Sequence, residues 1–318
     1  MTKALITGIK GSGASYLAEY LVSIGIETEG IARWHSSNGS NKSNLDNILD
    51  KIQIFDCDLN DLGSVIRTLK KSKPDFIFNM AATANVRSCF DNPIAVIQNN
   101  LNCTLNLFEA VRLLEMNTVI QHCSTSEVYG LVRKEDTPIK ESAELAPINP
   151  YSVSKLAQEK VAASYFHSYK VPTIITRAFA YINPKRIDLF ASAFAKQIVE
   201  VERGQRTELV HGNLDSVRTL IDVRDISEAY WLASQKCDQG IPYNIGGETI
   251  ITVGEFLEIL KSRAKVKINS RVDPALLRPV DLTMQVPDVS RFVQKTGWKA
   301  RYSFEQSVDM LLDYYRNL

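Results

Sequence analysis

What restricts the fold most is one change of period near residue 7. Ala4-Leu-Ile-Thr7 is a short, unbroken apolar run, and Leu17, Tyr20, Leu21 and Ile24 then recur at helical spacing. Between them stands Gly8-Ile-Lys-Gly11-Ser-Gly13-Ala14. A strand therefore passes straight into a helix through residues that lack a Cβ. Such a turn brings backbone N–H groups and a helix N-terminus close enough to hold a pyrophosphate. Gly8, Gly11 and Gly13 are the expected dinucleotide contacts, and Ala14 lets the helix pack close to the strand. A tight chain reversal with no ligand is the other reading of these glycines.

The alternation continues. Residues 26–32, 52–55, 76–79, 119–123 and 173–176 read as further strands. Residues 93–115 read as a long helix with Ile97, Leu101, Thr104, Leu105, Phe108 and Val111 on one face. Strands alternating with amphipathic helices imply the α/β class, as a doubly wound parallel sheet of Rossmann type with helices on both faces. Beyond Arg177 the pattern changes. Helices are expected at 190–201, from 222–225 to about 234, at 252–264 behind a hydroxyl cap, and around Phe304, Val308, Leu311 and Tyr315, with a strand at 243–246. Residues 1–177 are expected to form the dinucleotide-binding domain, with the chain returning to it near 219–234 and 243–247. Residues 178–318 are expected to form mainly a smaller C-terminal α/β lobe that takes the substrate.

Bulk properties exclude several classes. The chain has 318 residues, is 45% hydrophobic and 23% charged, and carries a net charge of +1. Such a balance gives no concentrated basic face for nucleic acid or an acidic membrane. Lys70-Lys71-Ser-Lys73 suits the end of a helix, where cations complement the dipole. Cysteines 57, 89, 103, 123 and 237 are odd in number and show no zinc spacing, so free thiols and no metal are expected. No secretory leader and no apolar run of about 18–20 residues is visible. The expected location is the cytoplasm.

After strand two, a unit that binds NAD usually offers an acid to the ribose, whereas an Arg suits a 2′-phosphate. Here the chain reads Ile31-Ala-Arg33-Trp-His35-Ser36, with no acid. Arg33 therefore favours NADP, with NAD as the alternative. Asp58 and Leu59 follow strand three, where an adenine contact would fall. Asp58 reads equally well as the N-cap of the next helix. Strand five runs into Ser124-Thr125-Ser126-Glu127, and Tyr151-Ser-Val-Ser-Lys155 follows on a helix. Tyr151 and Lys155 lie one turn apart on one face. A phenol is a poor base unless a cation stabilises its phenolate. Lys155 can do that and still reach a cofactor ribose. The hydroxyls have turn-forming bonds as their alternative use, and Glu127 that of a solvated loop charge.

These motifs resemble the extended short-chain dehydrogenase/reductases that modify nucleotide sugars, with GDP-mannose 4,6-dehydratase and GDP-4-keto-6-deoxy-mannose reductase nearest in likeness. The resemblance rests on Ala4 to Gly8, Ser15 to Glu19, Ser124 to Glu127 and Tyr151 to Lys155. It extends to Gly212 to Arg218, Leu277-Arg-Pro279 and Gly297-Trp-Lys299. It implies Tyr151 as the base at the sugar C4 hydroxyl, and Lys155 as its activator and ribose ligand. Thr125 would be the partner of O4, and Glu127 the acid/base at C5 and C6. It places Ser126, Asn183, Arg218 and Arg278 on the substrate side, the arginines at GDP; a surface ion pair is their other use. Relatives carry Asn in the Phe-Asn segment after strand six, where this chain has Ala180. Asn183 would compensate, or form a turn before Pro184.

The reading favoured is a GDP-mannose 4,6-dehydratase-like lyase. The alternative stops at C4 of a GDP-sugar, as a 4-ketoreductase, 4-dehydrogenase or 4-epimerase, and leaves Glu127 idle. A non-catalytic cofactor-binding protein would not need Tyr151 and Lys155. Helices 93–115 and 150–169 have apolar positions beyond their main stripes, at Leu107, Leu114, Val161 and Phe166. In relatives these two helices pair with their copies, so a homodimer is expected, with a homotetramer through the polar loop at 35–46 as the alternative.

Overall fold

The computed structural model describes residues 2–33, 44–85, 88–277 and 279–318. β1 (Lys3–Thr7) leads through the glycine turn into α1 (Ser12–Ser23) and back to β2 (Glu27–Ala32). β3 (Gln53–Asp56), α2 (Leu62–Ser72), β4 (Phe76–Asn79), the short α3 (Ser88–Asp91), α4 (Pro93–Leu113), β5 (Val119–Thr125), α5 (Pro150–Tyr169) and β6 (Thr173–Ala178) follow.

The chain then forms β7 (Tyr181–Ile182), α6 (Phe190–Glu202), β8 (Leu209–His211), β9 (Val217–Asp222), α7 (Val223–Lys236) and β10 (Pro242–Ile245). It ends with β11 (Thr249–Thr252), α8 (Val253–Ser262), β12 (Ser270–Val272), β13 (Met284–Gln285), α9 (Ser290–Thr296) and α10 (Phe304–Arg316).

The main sheet has seven strands in the order β10-β6-β5-β4-β1-β2-β3, with every neighbouring pair parallel. The chain winds outward in one direction from β1 to β3 and in the other from β4. The crevice above β1 and β4 is therefore the place where an open α/β sheet binds ligands. Ala14, Leu17 and Leu21 of α1 pack with Ile226, Ala229 and Tyr230 of α7 on one face. Val65 and Leu69 of α2, Phe108 and Val111 of α4, and Ala162 of α5 cover the other.

A second core lies in α6, α8 and α10, around Phe194, Ile198, Phe256, Leu260, Val308 and Leu311. It backs a small mixed sheet in which β9 pairs with β11, β13 and β7. Two to six residues long, β7, β8, β9, β11, β12 and β13 were not expected from the sequence. Among the described residues no helix is long and apolar enough to cross a membrane.

Two expectations are corrected. Asp58 does not cap α2; Asp61 does, accepting from Gly63 N–H at 2.9 Å, while Asp58 accepts from Asn60 N–H within its own turn. The spare stripe on α4 is also different. Leu107 is fully buried in the core, whereas Ile97, Leu101 and Leu105 are partly exposed. Inward-facing Asn100 and Thr104 explain the rotation. Asn100 Nδ2 donates to Ser154 Oγ at 2.9 Å, and Gln158 Nε2 donates to Thr104 Oγ1 at 2.6 Å. Buried polar groups require such partners, so they outrank an apolar stripe in setting which face turns inward. Phe166 is covered by the turn at Gly240, where a Cβ would strike its ring.

Candidate active site

Gly8 sits at φ +68°, and a Cβ there would stand 3.0 Å from the Ala81 backbone. Gly11 precedes α1 without any side-chain cap, which leaves the first-turn N–H groups open to an anion. Gly13 is crowded as well, since its Cβ would lie 3.1 Å from the Tyr181 hydroxyl. These glycines floor a groove of about 620 Å³, walled by residues 31–33, 57–60, 80–85 and 185–188. Arg33, Asp58 and Leu59 are among its lining residues. A cradle that any Cβ would fill, open helix N–H groups and a cation beyond β2 together fit a nicotinamide dinucleotide phosphate.

The loop between β4 and α3 is held by β1. Thr7 Oγ1 accepts from Met80 and Ala81 N–H, both at 3.0 Å, so its own hydroxyl donates to Asn79 Oδ1 at 3.1 Å. The Asn79 amide then faces Thr104 and His122, at 3.2 Å each. Burial pushes the His122 imidazole well below its usual range, so it remains neutral. A continuous polar chain thus links the glycine strand to α4 and, through Gln158, to α5.

α5 begins at Asn149, whose Oδ1 accepts from Ser152 N–H at 2.8 Å in a capping box, and Pro150 takes the first helical position. Tyr151 consequently lies in the first turn, beside the end of β5. Its phenol faces Arg186, Glu127, Tyr181 and Thr125. Burial raises its proton affinity most, and the Arg186 guanidinium opposes this more than any other group. Lys155 is buried one turn later, and burial pushes it down to about 8, with Cys123 and Glu159 pulling the other way. Among the described residues the Lys155 ammonium makes no hydrogen bond, so it is available to a ligand.

Thr125 Oγ1 accepts from Glu127 N–H at 3.3 Å, and the Glu127 carboxylate accepts from Asn149 Nδ2 at 2.8 Å. Beneath them Ser124 and Arg177 both bond Glu159, the Arg177 pair at 2.8 Å and almost wholly buried. This ties β5, β6 and α5 into one floor.

Thr125, Glu127 and Tyr151 converge, with Lys155 buried one helical turn further along α5 and Ser126 buried next to Thr125. Asn183 is buried in the turn after β7, with its Oδ1 accepting from Lys185 N–H at 3.0 Å. Arg218 on β9 donates to the carbonyls of Val217 and Leu282. Arg278 and most of the 35–46 loop lie outside the described residues. Asn149, Tyr181, Lys185 and Arg186 were missed. For Asn149 a signal existed: Asn-Pro directly before a helical run is a start signal.

The family model described as GDP-mannose 4,6 dehydratase matches residues 5–311. The chain belongs to that family. A GDP-mannose 4,6-dehydratase of Yersinia enterocolitica is 30% identical to this dehydratase-family chain, over 96% of it and 91% of the relative. A GDP-6-deoxy-D-mannose reductase of Pseudomonas aeruginosa is also 30% identical, over 75% of this chain and 79% of the relative. RMD from Pseudomonas aeruginosa, solved in complex with NADPH, superposes with a TM-score of 0.86 at 24% identity. It covers 100% of this family member, is itself covered over 99%, and shares its fold. The Rossmann-type fold class expected from the sequence is borne out.

Proposed function

We propose that this chain is a GDP-mannose 4,6-dehydratase that keeps a nicotinamide cofactor, NADP by preference and NAD as the alternative. The observation that carries the reading is the convergence of the Glu127 carboxylate and Thr125 hydroxyl on the Tyr151 phenol. Chemistry confined to C4 needs no carboxylate at that place. The dehydratase relatives along nearly the whole chain support it, and the reductase relative lends the C4-only alternative partial support.

The cofactor, when bound, supplies a hydride acceptor for C4 and a hydride donor for C6. Gly8, Gly11 and Gly13 would hold its pyrophosphate, Arg33 a 2′-phosphate, Asp58 and Leu59 the adenine, and Lys155 the ribose. Tyr151 accepts the proton of the C4 hydroxyl while Thr125 holds O4. The resulting 4-ketone acidifies C5–H. Glu127 removes that proton as the C5–C6 double bond forms, and delivers it to the departing C6 hydroxyl, which leaves as water. A proton returns to C5 as C6 is reduced, so the net change is loss of one water. General acid–base steps of this kind contribute roughly 10²–10⁴-fold each. Ser126, Asn183, Arg218 and Arg278 line the GDP-sugar side in this reading, with residues 178–318 supplying most of that lobe.

The same reading takes the enzyme as a cytoplasmic homodimer formed through α4 and α5, where Ile97, Leu101, Leu105 and Val161 remain partly exposed. A homotetramer is the alternative. The deciding experiment is incubation with GDP-mannose and no added cofactor, followed by mass spectrometry. Loss of water supports the dehydratase. Loss of two hydrogens overturns it in favour of a 4-dehydrogenase, and an unchanged mass overturns GDP-mannose dehydration in favour of a reductase, an isobaric epimerisation or another substrate.

A further inference from the structure

Glu127 has to act at two carbons in turn, which demands that its carboxylate be held in one orientation. Among the described residues the carboxylate receives a single hydrogen bond, from Asn149 Nδ2 at 2.8 Å. Asn149 is itself buried. Its amide cannot turn over without loss, because Oδ1 is committed to Ser152 N–H at 2.8 Å and only Nδ2 remains to face Glu127. Its backbone is fixed too. Asn149 N–H donates to Ser152 Oγ at 3.2 Å, and the Ser152 hydroxyl donates back to Asn149 O at 2.9 Å. The residue that starts α5, and so sets where Tyr151 and Lys155 project, is therefore the residue that grips Glu127.

We infer that Asn149 is a positioning residue for the second half of the reaction: it holds the Glu127 carboxylate against C5 and C6 in register with Tyr151. It touches no reacting atom. One side chain couples the C4 base to the C5/C6 acid/base, because the cap that orients the phenol's helix also orients the carboxylate. The inference rests on the dehydratase reading of Glu127.

Two substitutions separate this role from plain helix capping. Asp and Ser are as good as Asn at the N-cap. Asn149→Asp keeps an acceptor for Ser152 N–H but turns an oxygen toward Glu127, where two like charges repel. Asn149→Ser keeps a cap and is too short to reach the carboxylate. Both proteins should melt close to wild type. Both should turn over GDP-mannose about tenfold or more slowly, as expected for loss of a hydrogen bond to a charged group, and Asn149→Asp should be the slower. On adding GDP-mannose both should accumulate the near-ultraviolet absorbance of reduced nicotinamide, because C4 oxidation outruns proton removal at C5. A capping defect alone would lower the melting temperature without building up that signal.

Glu127→Gln is the control. If it is inactive and builds up the reduced signal while both Asn149 variants turn over within about twofold of wild type, the positioning role is refuted and the dehydratase reading survives. If Glu127→Gln is fully active, the dehydratase reading fails and the role of Asn149 falls with it. If Asn149→Asp does not fold, the Asn149→Ser protein decides by the same two readouts.

Discussion

Lys185→Met probes how the dinucleotide groove is closed. Lys185 Nζ donates to Ser15 Oγ at 3.2 Å, Glu19 Oε1 at 2.9 Å and Asn44 O at 2.8 Å, and lies 4.4 Å from the Tyr16 ring centroid. Its neighbour Arg186 reaches the opposite wall, where Nη2 donates to Ala84 O at 2.7 Å. Residues 183–188 thus strap α1 to the 81–85 loop across the groove. Methionine keeps the apolar stem and drops all three donors. The full strength of three bonds is not lost, since the Glu19 side chain is 25% exposed and water can solvate it, and Ser15 retains its own bond to Ser12 O. One hydrogen bond to a charged group, about 1.5–3 kcal/mol, is the fitting scale. That weakens the closed strap roughly 10- to 100-fold. NADPH fluorescence, followed after dilution into excess NADP, should decay faster by that order. Glu19→Gln should speed release as well, whereas a Lys185 that served as a phosphate ligand would bind better once freed from Glu19. Release within about twofold of wild type in Lys185→Met would refute the strap.

Three further outcomes follow from the same geometry. Lys155 titrates near 8 in the folded protein and near 10.5 when unfolded, so the unfolded state holds more of this proton between those values and the contribution of Lys155 to stability should rise with pH across that window, against the opposing loss from the buried thiols Cys103, Cys123 and Cys237, whose hold on the proton burial raises. The Lys155 contribution is about 3 kcal/mol, read as the difference between wild type and Lys155→Met in urea midpoints at the two ends of the window; turnover should meanwhile fall above about pH 8 as Lys155 loses its charge. Arg33→Asp should weaken NADP binding far more than NAD binding by titration, and a wild-type protein that already prefers NAD would overturn the choice of NADP. Val161→Asp should split the proposed homodimer in light scattering, because it places a charge on the partly exposed outer face of α5; a wild-type monomer at about micromolar concentration would refute the helix-paired assembly.

By itself the sequence determined the sheet and the cofactor cradle. Both depend on neighbours along the chain: an apolar run of strand length, glycines between that strand and a helical run, a phenol and an ammonium one helical turn apart. Asn149-Pro150 was equally local, and could have been read as a helix start. Only the tertiary structure decided what depends on rotation or on contact between distant segments. Periodicity placed two apolar stripes on α4 without saying which turns inward. The partners that Asn100 and Thr104 find on α5 and β4 settled that, sending Leu107 into the core and Ile97, Leu101 and Leu105 outward. Asp58 and Asp61 are both acids ahead of α2, and the backbone path alone assigned the cap to Asp61. The grip of Asn149 on Glu127 spans 22 residues, and the Lys185 clamp on Glu19 spans 166. No residue pattern encodes such pairings, because a hydrogen bond depends on a few ångströms in space and not on distance along the chain.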